Sequence, residues 1–220
     1  ATVVSRLAEA GSVLLGKLNL AEAAMGGYSP GFDVPLNPWN VTRWSGASSS
    51  GSAVATALGL CFASLGTDTG GSIRYPAGAC GTVGLKPTWG RVSRYGVLDL
   101  AQSLDHVGPL TRSSVDAAIM LSVIGGLDLN DPTTLPIPIS PMMEDFEKGV
   151  DGLRIGMDES YCTDGVDPEV SQAVLKAVKI MESLGAQIIE TKMPDVDQYY
   201  LSSWRTIFAA EAVQAHQDYY

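Results

Sequence analysis

Histidine is almost missing from this sequence: His106 and His216 are the two copies in 220 residues, and they stand far apart. With no CxxC pair and no HExxH run beside them, a zinc-type ligand set is excluded. Cysteine is nearly as scarce. Cys61, Cys80 and Cys162 are odd in number, widely spaced and set among apolar or small residues, which reads as three reduced, buried thiols rather than a disulfide frame, and a reducing cytoplasm fits them. Basic residues are also short, 14 against 24 acidic ones for a net charge of −10. Such a surface repels phosphate backbones and anionic lipids, so direct nucleic-acid binding is not expected. Long apolar runs are lacking too, because the longest uncharged stretch, Trp44 to Thr67, is studded with Ser, Gly and Thr; no segment reads as membrane-crossing. What the chain does have is 45% hydrophobic residues over 220 positions, enough to bury the core of one large domain spanning the whole sequence.

The pattern along the chain is α/β. "TVVSRLAEAGSVLLGKLN" (2–19) predicts a short helix, a stop at Gly11 and a strand over Val13–Leu15. Residues 26–47 carry three prolines among Gly, Asn, Ser and Trp and predict a long irregular loop of the kind that serves a site. Small apolar residues at helical spacing, Ala53, Val54, Ala57 and Leu58, predict a helix from Ser50 to Leu60 capped by serines, followed by a buried strand at "CFASLG" (61–66). A helix over 113–124 with Ser114 as cap precedes a Pro-rich connection at 126–150. This connection is not read as a domain linker, because the α/β alternation resumes after it: "LRIGM" (153–157), a helix and "AQIIE" (186–190). In that helix Asp167 caps, Pro168 takes the first position, Val170, Val174, Val178 and Met181 share one face, and Gly185 ends it.

Several catalytic and phosphate-binding patterns fail on single residues. In "GASSSGSA" (46–53) the lysine of a phosphate-cradling loop is replaced by Ser52. Around Ser72, Arg74 occupies the second glycine position of a nucleophile elbow, and no lysine stands three residues after any serine. What remains is a pair of clusters, Ser48-Ser49-Ser50 and Gly70-Gly71-Ser72. A helix of about eleven residues runs roughly 16 Å and a strand of about six residues roughly 20 Å, so a strand returning antiparallel to the helix brings both clusters to one end. Adjacent glycines let backbone N–H groups approach a developing oxyanion, and Asp68 and Arg74 flank the turn closely enough to pair across it and fix its shape. On residue types alone the clusters read either as such a site or as ordinary turns, which Gly and Ser form readily.

The block "GASSSGSA … GTDTGGSIRYPAGACGTVGLKPTWGRVSRYG … SLDHVGPLTRS" resembles the amidase signature family, which includes bacterial amidases, the A subunit of glutamyl-tRNA amidotransferase and fatty-acid amide hydrolases. The likeness runs from "GKLNLAEAAMG" to "DAAIML" and returns more weakly in "GLRIGM" and "AAEAVQAH". It implies a mixed β-sheet core covered by helices and a cofactor-free acyl-transfer site acting on a small-molecule amide. In that site Ser72 is the nucleophile, Ser48, preceded by a cis peptide bond, relays protons, and the amides of Thr69, Gly70, Gly71 and Ser72 receive the oxyanion. A lysine completes the family's triad. It normally lies upstream in a strand of the type G-x-P-x-x-V-K-D, for which no match precedes Ala1, so the chain reads as a fragment with little activity alone. Lys17 and Lys86 match other lysines of the family, the latter a structural one.

Other readings stay open on the sequence. The transamidating A subunit would work with amidotransferase partner subunits, whereas the end "AAEAVQAHQDYY" looks more like free amidases; a homodimer is a further possibility for those. A non-catalytic remnant would bind a partner through an exposed sheet edge. A serine–histidine site using Asp105 and His106 ranks last, since adjacent residues do not readily line up as orienter and base. Tyr75 reads as a wall of the acyl pocket or as an ordinary packed aromatic.

Overall fold

The computed structural model describes residues 1–25, 27–194 and 198–218. Gly26, the first residue of the expected irregular loop, and Tyr219 and Tyr220 of the terminal segment lie outside the described residues. In chain order the elements are α1 (Thr2–Glu9), α2 (Ser50–Ala57), β1 (Ala63–Asp68), α3 (Arg74–Cys80), β2 (Val83–Gly84), β3 (His106–Thr111), α4 (Ser114–Ile124), α5 (Met142–Asp145), β4 (Arg154–Met157), α6 (Glu159–Thr163), α7 (Pro168–Ser183), β5 (Gln187–Glu190) and α8 (Gln198–His216). Their contacts define two compact units, one of Ala1–Met143 with Trp204–Tyr220 and one of Glu144–Ser203. The boundary at residue 143 falls within the Pro-rich connection.

In the first unit β3 lies between β1 and β2 in an antiparallel sheet. Its register runs from Ala63 opposite Thr111 to Asp68 opposite His106. Helices α2 and α3 cover this sheet through Ala53, Ile73, Ala77, Cys80 and Leu110, all buried. The small residues of α2 let it approach β1 closely enough for side-chain hydroxyls to cross-link the two. Ser52 Oγ donates to Leu65 O at 2.8 Å, Ser64 Oγ donates to Ser52 O at 3.0 Å, and the Thr56 and Ser64 hydroxyls share a bond of 2.8 Å. A second cluster of Val3, Val92, Val107 and Ile124 seats α1 and α4. There Arg6 donates to the carbonyls of Ile124, Gly125 and Gly126, acceptors that a helix end leaves without intrahelical partners.

Three local expectations are corrected. Val13–Leu15 forms no strand: these residues are 73–81% exposed, and their amides pair with nothing among the described residues. A strand exists only where a neighbour takes its backbone groups. The strand expected at 61–66 runs instead over 63–68, because its ladder starts where Thr111 of β3 becomes available. Ser113, not Ser114, caps α4, accepting from the Asp116 amide, and Ser49 precedes α2 without a side-chain capping bond.

The second unit holds a parallel pair, β4 and β5, with Arg154 opposite Gln187 and Met157 opposite Glu190. Helices α6 and α7 join the two strands, as the resumed alternation predicts. Asp167 accepts from the Glu169 amide at 2.9 Å, Pro168 occupies the first turn, and Gly185 follows the helix at φ 98°, a conformation that favours glycine. No helix among the described residues is long and apolar enough to cross a membrane.

Candidate active site

The helix and strand lengths do bring the two Ser/Gly clusters to one end of the α2–β1 pair. The Ser49 amide donates to the Ser72 carbonyl at 3.2 Å. Ser49 Oγ accepts from the Thr67 amide at 3.2 Å and donates to the Thr67 carbonyl at 3.3 Å, so the middle serine ties the start of α2 to the end of β1 instead of capping the helix. Ser50 Oγ is bonded to the Tyr28 hydroxyl. That leaves Ser48. The Ala47–Ser48 peptide is cis, the residue is 1% exposed, and its Oγ has no hydrogen-bond partner among the described residues. Ser72 is half-buried at the start of the turn into α3.

The turn from β1 into α3 is built around one carboxylate. Asp68, 1% exposed, accepts from the Gly71 amide at 2.8 Å, the Ile73 amide at 3.2 Å and the Arg74 amide at 3.4 Å. It also takes two parallel bonds from the Arg74 guanidinium, both 2.9 Å. Burial pushes the Asp68 carboxyl up, but the Arg74 hydrogen bond and charge, with the Ile73 and Gly71 amides, outweigh it and hold the group below the usual carboxylate range. Asp68 and Arg74 therefore pair across the turn as their spacing suggests. Gly71 sits at φ 134°, and a Cβ there would run into the Tyr75 ring. Of the four amides named as oxyanion donors, that of Gly71 is turned into Asp68. Those of Thr69, Gly70 and Ser72 meet no acceptor among the described residues.

Two neighbours of the turn have no sequence spacing that ties them to it. Asp105 accepts from Thr69 Oγ1 at 2.5 Å with one oxygen and from the Leu100 and Ala101 amides, at 2.7 and 3.0 Å, with the other. This occupies the carboxylate that a serine–histidine site would need as an orienter. Trp204 of α8 lies against Gly70, and its Nε1 donates to the Thr69 carbonyl at 3.4 Å. Lys86 donates to the Pro87 carbonyl at 2.8 Å; burial and then the Arg74 charge push its pKa down. No bond joins Lys17 or Lys86 to Ser48 or Ser72 among the described residues. His106 Nδ1 faces the Asp68 carbonyl at 3.1 Å, and burial followed by the Lys86 charge pushes its pKa down. Replacing His106 by alanine is expected to keep turnover within the same order of magnitude. Loss of a general base would cost about 10²–10⁴-fold, and steady-state rates separate the two outcomes.

No group of His, Cys, Asp and Glu among the described residues is arranged to hold a metal ion. A family model described as Amidase matches residues 1–220. The chain belongs to the amidase family. The A subunit of glutamyl-tRNA(Gln) amidotransferase from Geobacter sulfurreducens is 47% identical over 213 residues, 96% of this chain and 44% of that protein. The putative amidase AmiD of Mycobacterium tuberculosis is 50% identical over 185 residues, 84% of this chain and 38% of that protein. Among solved structures, the amidotransferase A subunit from Thermotoga maritima superposes with a TM-score of 0.89 at 42% identity, covering 97% of this chain and 47% of that one. Native peptide amidase from Stenotrophomonas maltophilia gives 0.82 at 33% identity, covering 99% and 47%. This amidase chain thus spans less than half the length of the relatives it matches, and its α/β fold, helices covering the sheets, is theirs over that span.

Proposed function

We propose that the protein hydrolyses a carboxylic amide to acid and ammonia or amine through an acyl-Ser72 intermediate. The observation that carries this reading is the buried Ser48 hydroxyl, without a partner among the described residues, beside a serine turn whose Thr69, Gly70 and Ser72 amides also meet no acceptor among them. A buried hydroxyl that bonds to nothing costs stability, so its retention points to chemistry rather than packing. In the proposed cycle Ser72 Oγ attacks the amide carbon and passes its proton to Ser48 Oγ. Ser48 hands its own proton to a neutral lysine of the kind the family supplies, whose pKa must be lowered for it to act as a base. The oxyanion takes the unpartnered amides. Collapse expels nitrogen with a proton returned through Ser48, and water then cleaves the ester. Asp68 and Arg74 hold the turn and do not react. A membrane-free, cytoplasmic setting agrees with free thiols at Cys61, Cys80 and Cys162.

The test is a fluorophosphonate probe applied to the protein as its gene encodes it, with the adduct mapped by mass spectrometry. Modification at Ser72 is expected, and modification at another residue overturns the assignment. A second reading, an amidotransferase A subunit drawing ammonia from glutamine for partner subunits, is favoured by how much of this chain those relatives cover, 96% against 84% for AmiD. Ammonia release from glutamine that rises when the partner proteins are added would select it over free amide hydrolysis.

A further inference from the structure

We infer that Trp204 of α8 is a positioning residue that aims the Gly70 amide at the reacting carbonyl; this rests on the acyl-Ser72 reading above. In a planar, trans peptide the carbonyl of one residue and the N–H of the next point in opposite directions within one plane. Holding the Thr69 carbonyl therefore fixes where the Gly70 N–H points. Trp204 Nε1 holds that carbonyl at 3.4 Å. The same indole covers the Cα of Gly70, where a Cβ would collide with the ring, so the peptide is both bonded and packed on its Trp204 side. The Gly70 N–H faces away from the indole and meets no acceptor among the described residues.

Two further contacts narrow the choice. Thr69 is anchored through Oγ1 to Asp105 at 2.5 Å, which limits rotation of the residue before the peptide in question. The next amide, that of Gly71, is held in Asp68 at 2.8 Å and is not available to a substrate. Gly70 is thus left as a donor whose direction is set from outside the turn. The indole is itself supported, stacking on Phe208 with centroids 5.3 Å apart, while Glu211, two turns along α8, takes the Ser103 amide at 2.9 Å and hydroxyl at 2.6 Å. The stack steadies the ring within α8 and the Glu211 bonds tie the helix to Ser103, so the indole N–H has a defined origin.

Trp204→Phe keeps a ring over Gly70 and removes the N–H. In the protein as its gene encodes it, the rate of Ser72 phosphonylation by a fluorophosphonate is expected to fall about 10-fold, a fraction of the 10²–10³-fold lost when an oxyanion donor is removed outright. The unfolding midpoint should hold, and in turnover the loss should fall on kcat with KM little changed. Phe208→Leu, which alters the stack and spares the N–H, should label at nearly the wild-type rate. Wild-type labelling of Ser72 in Trp204→Phe overturns the inference, as does equal slowing by Phe208→Leu, which would trace the effect to packing. Should the wild-type protein itself fail to label at Ser72, it is the acyl-serine reading that falls, and this inference with it.

Discussion

Ser48→Ala is expected to lower turnover by about 10²–10⁴-fold while leaving the unfolding midpoint unchanged or higher. Ser72→Ala should lower turnover by about 10⁶-fold. The two halves of the Ser48 expectation have separate causes. The Ser48 hydroxyl is 1% exposed and bonds to nothing among the described residues. Removing it breaks no hydrogen bond and relieves the desolvation of a polar atom, a gain of up to about 1 kcal/mol against a slightly smaller packed volume. An ordinary buried serine such as Ser64, bonded to both Ser52 and Thr56, would lose stability on the same change. Loss of rate without loss of stability is the signature of a group kept for proton transfer. Parallel measurement of steady-state rates and thermal unfolding checks it: a lowered midpoint with turnover intact would make Ser48 a packing residue and end the proposed relay. The double variant Ser48→Ala/Ser72→Ala should be no slower than Ser72→Ala, because residues that act as one unit do not add.

How far the sequence carried depends on the range of the forces involved. Helices were legible where one residue settles a local question. Asp167-Pro168 starts α7 and Gly185 follows its end, as expected. The meeting of the two serine clusters followed from lengths alone. By contrast β3, the middle strand of its sheet, carries Gly108 and Pro109, residues that argue against a central strand. Pro109 is tolerated because its carbonyl still serves the ladder, accepting from the Leu85 amide at 3.0 Å. Strand edges escape the sequence for a related reason: β1 begins where Thr111 offers a partner, and Val13–Leu15, apolar enough for a strand, finds none among the described residues. In the site, the near pair Asp68–Arg74 could be read from spacing. Asp105 and Trp204 lie 36 and 135 residues from Thr69, so no local pattern could connect them. By sequence the Gly71 amide is equivalent to its neighbours, and only the fold sets the Asp68 oxygen in front of it.

Asp68→Ala is expected to cost about 2–6 kcal/mol of stability, a large part of the roughly 5–15 kcal/mol that holds a domain folded. Most of that comes from what is left behind. The Arg74 side chain is 53% exposed, so water takes over its charge at modest cost. The Gly71 and Ile73 amides are buried and would lose their acceptor, at about 1–3 kcal/mol for each unsatisfied group. Asp68→Asn keeps one carbonyl oxygen for one amide and should fall between alanine and wild type, while Arg74→Ala should be milder than either. The pH dependence has a definite sign. The folded-state pKa of Asp68 lies below its ordinary value, so its contribution is present above the unfolded carboxyl pKa of about 3.9 and is lost as pH falls through the lower folded value. The stability gap between wild type and Asp68→Asn should therefore stay open near neutrality and close only in strong acid, below the usual carboxylate range. Urea titrations at a series of pH values measure that gap directly; a gap under about 1 kcal/mol at neutral pH would mean that the turn keeps its shape without Asp68, and that the Ser72 backbone is fixed by some other contact.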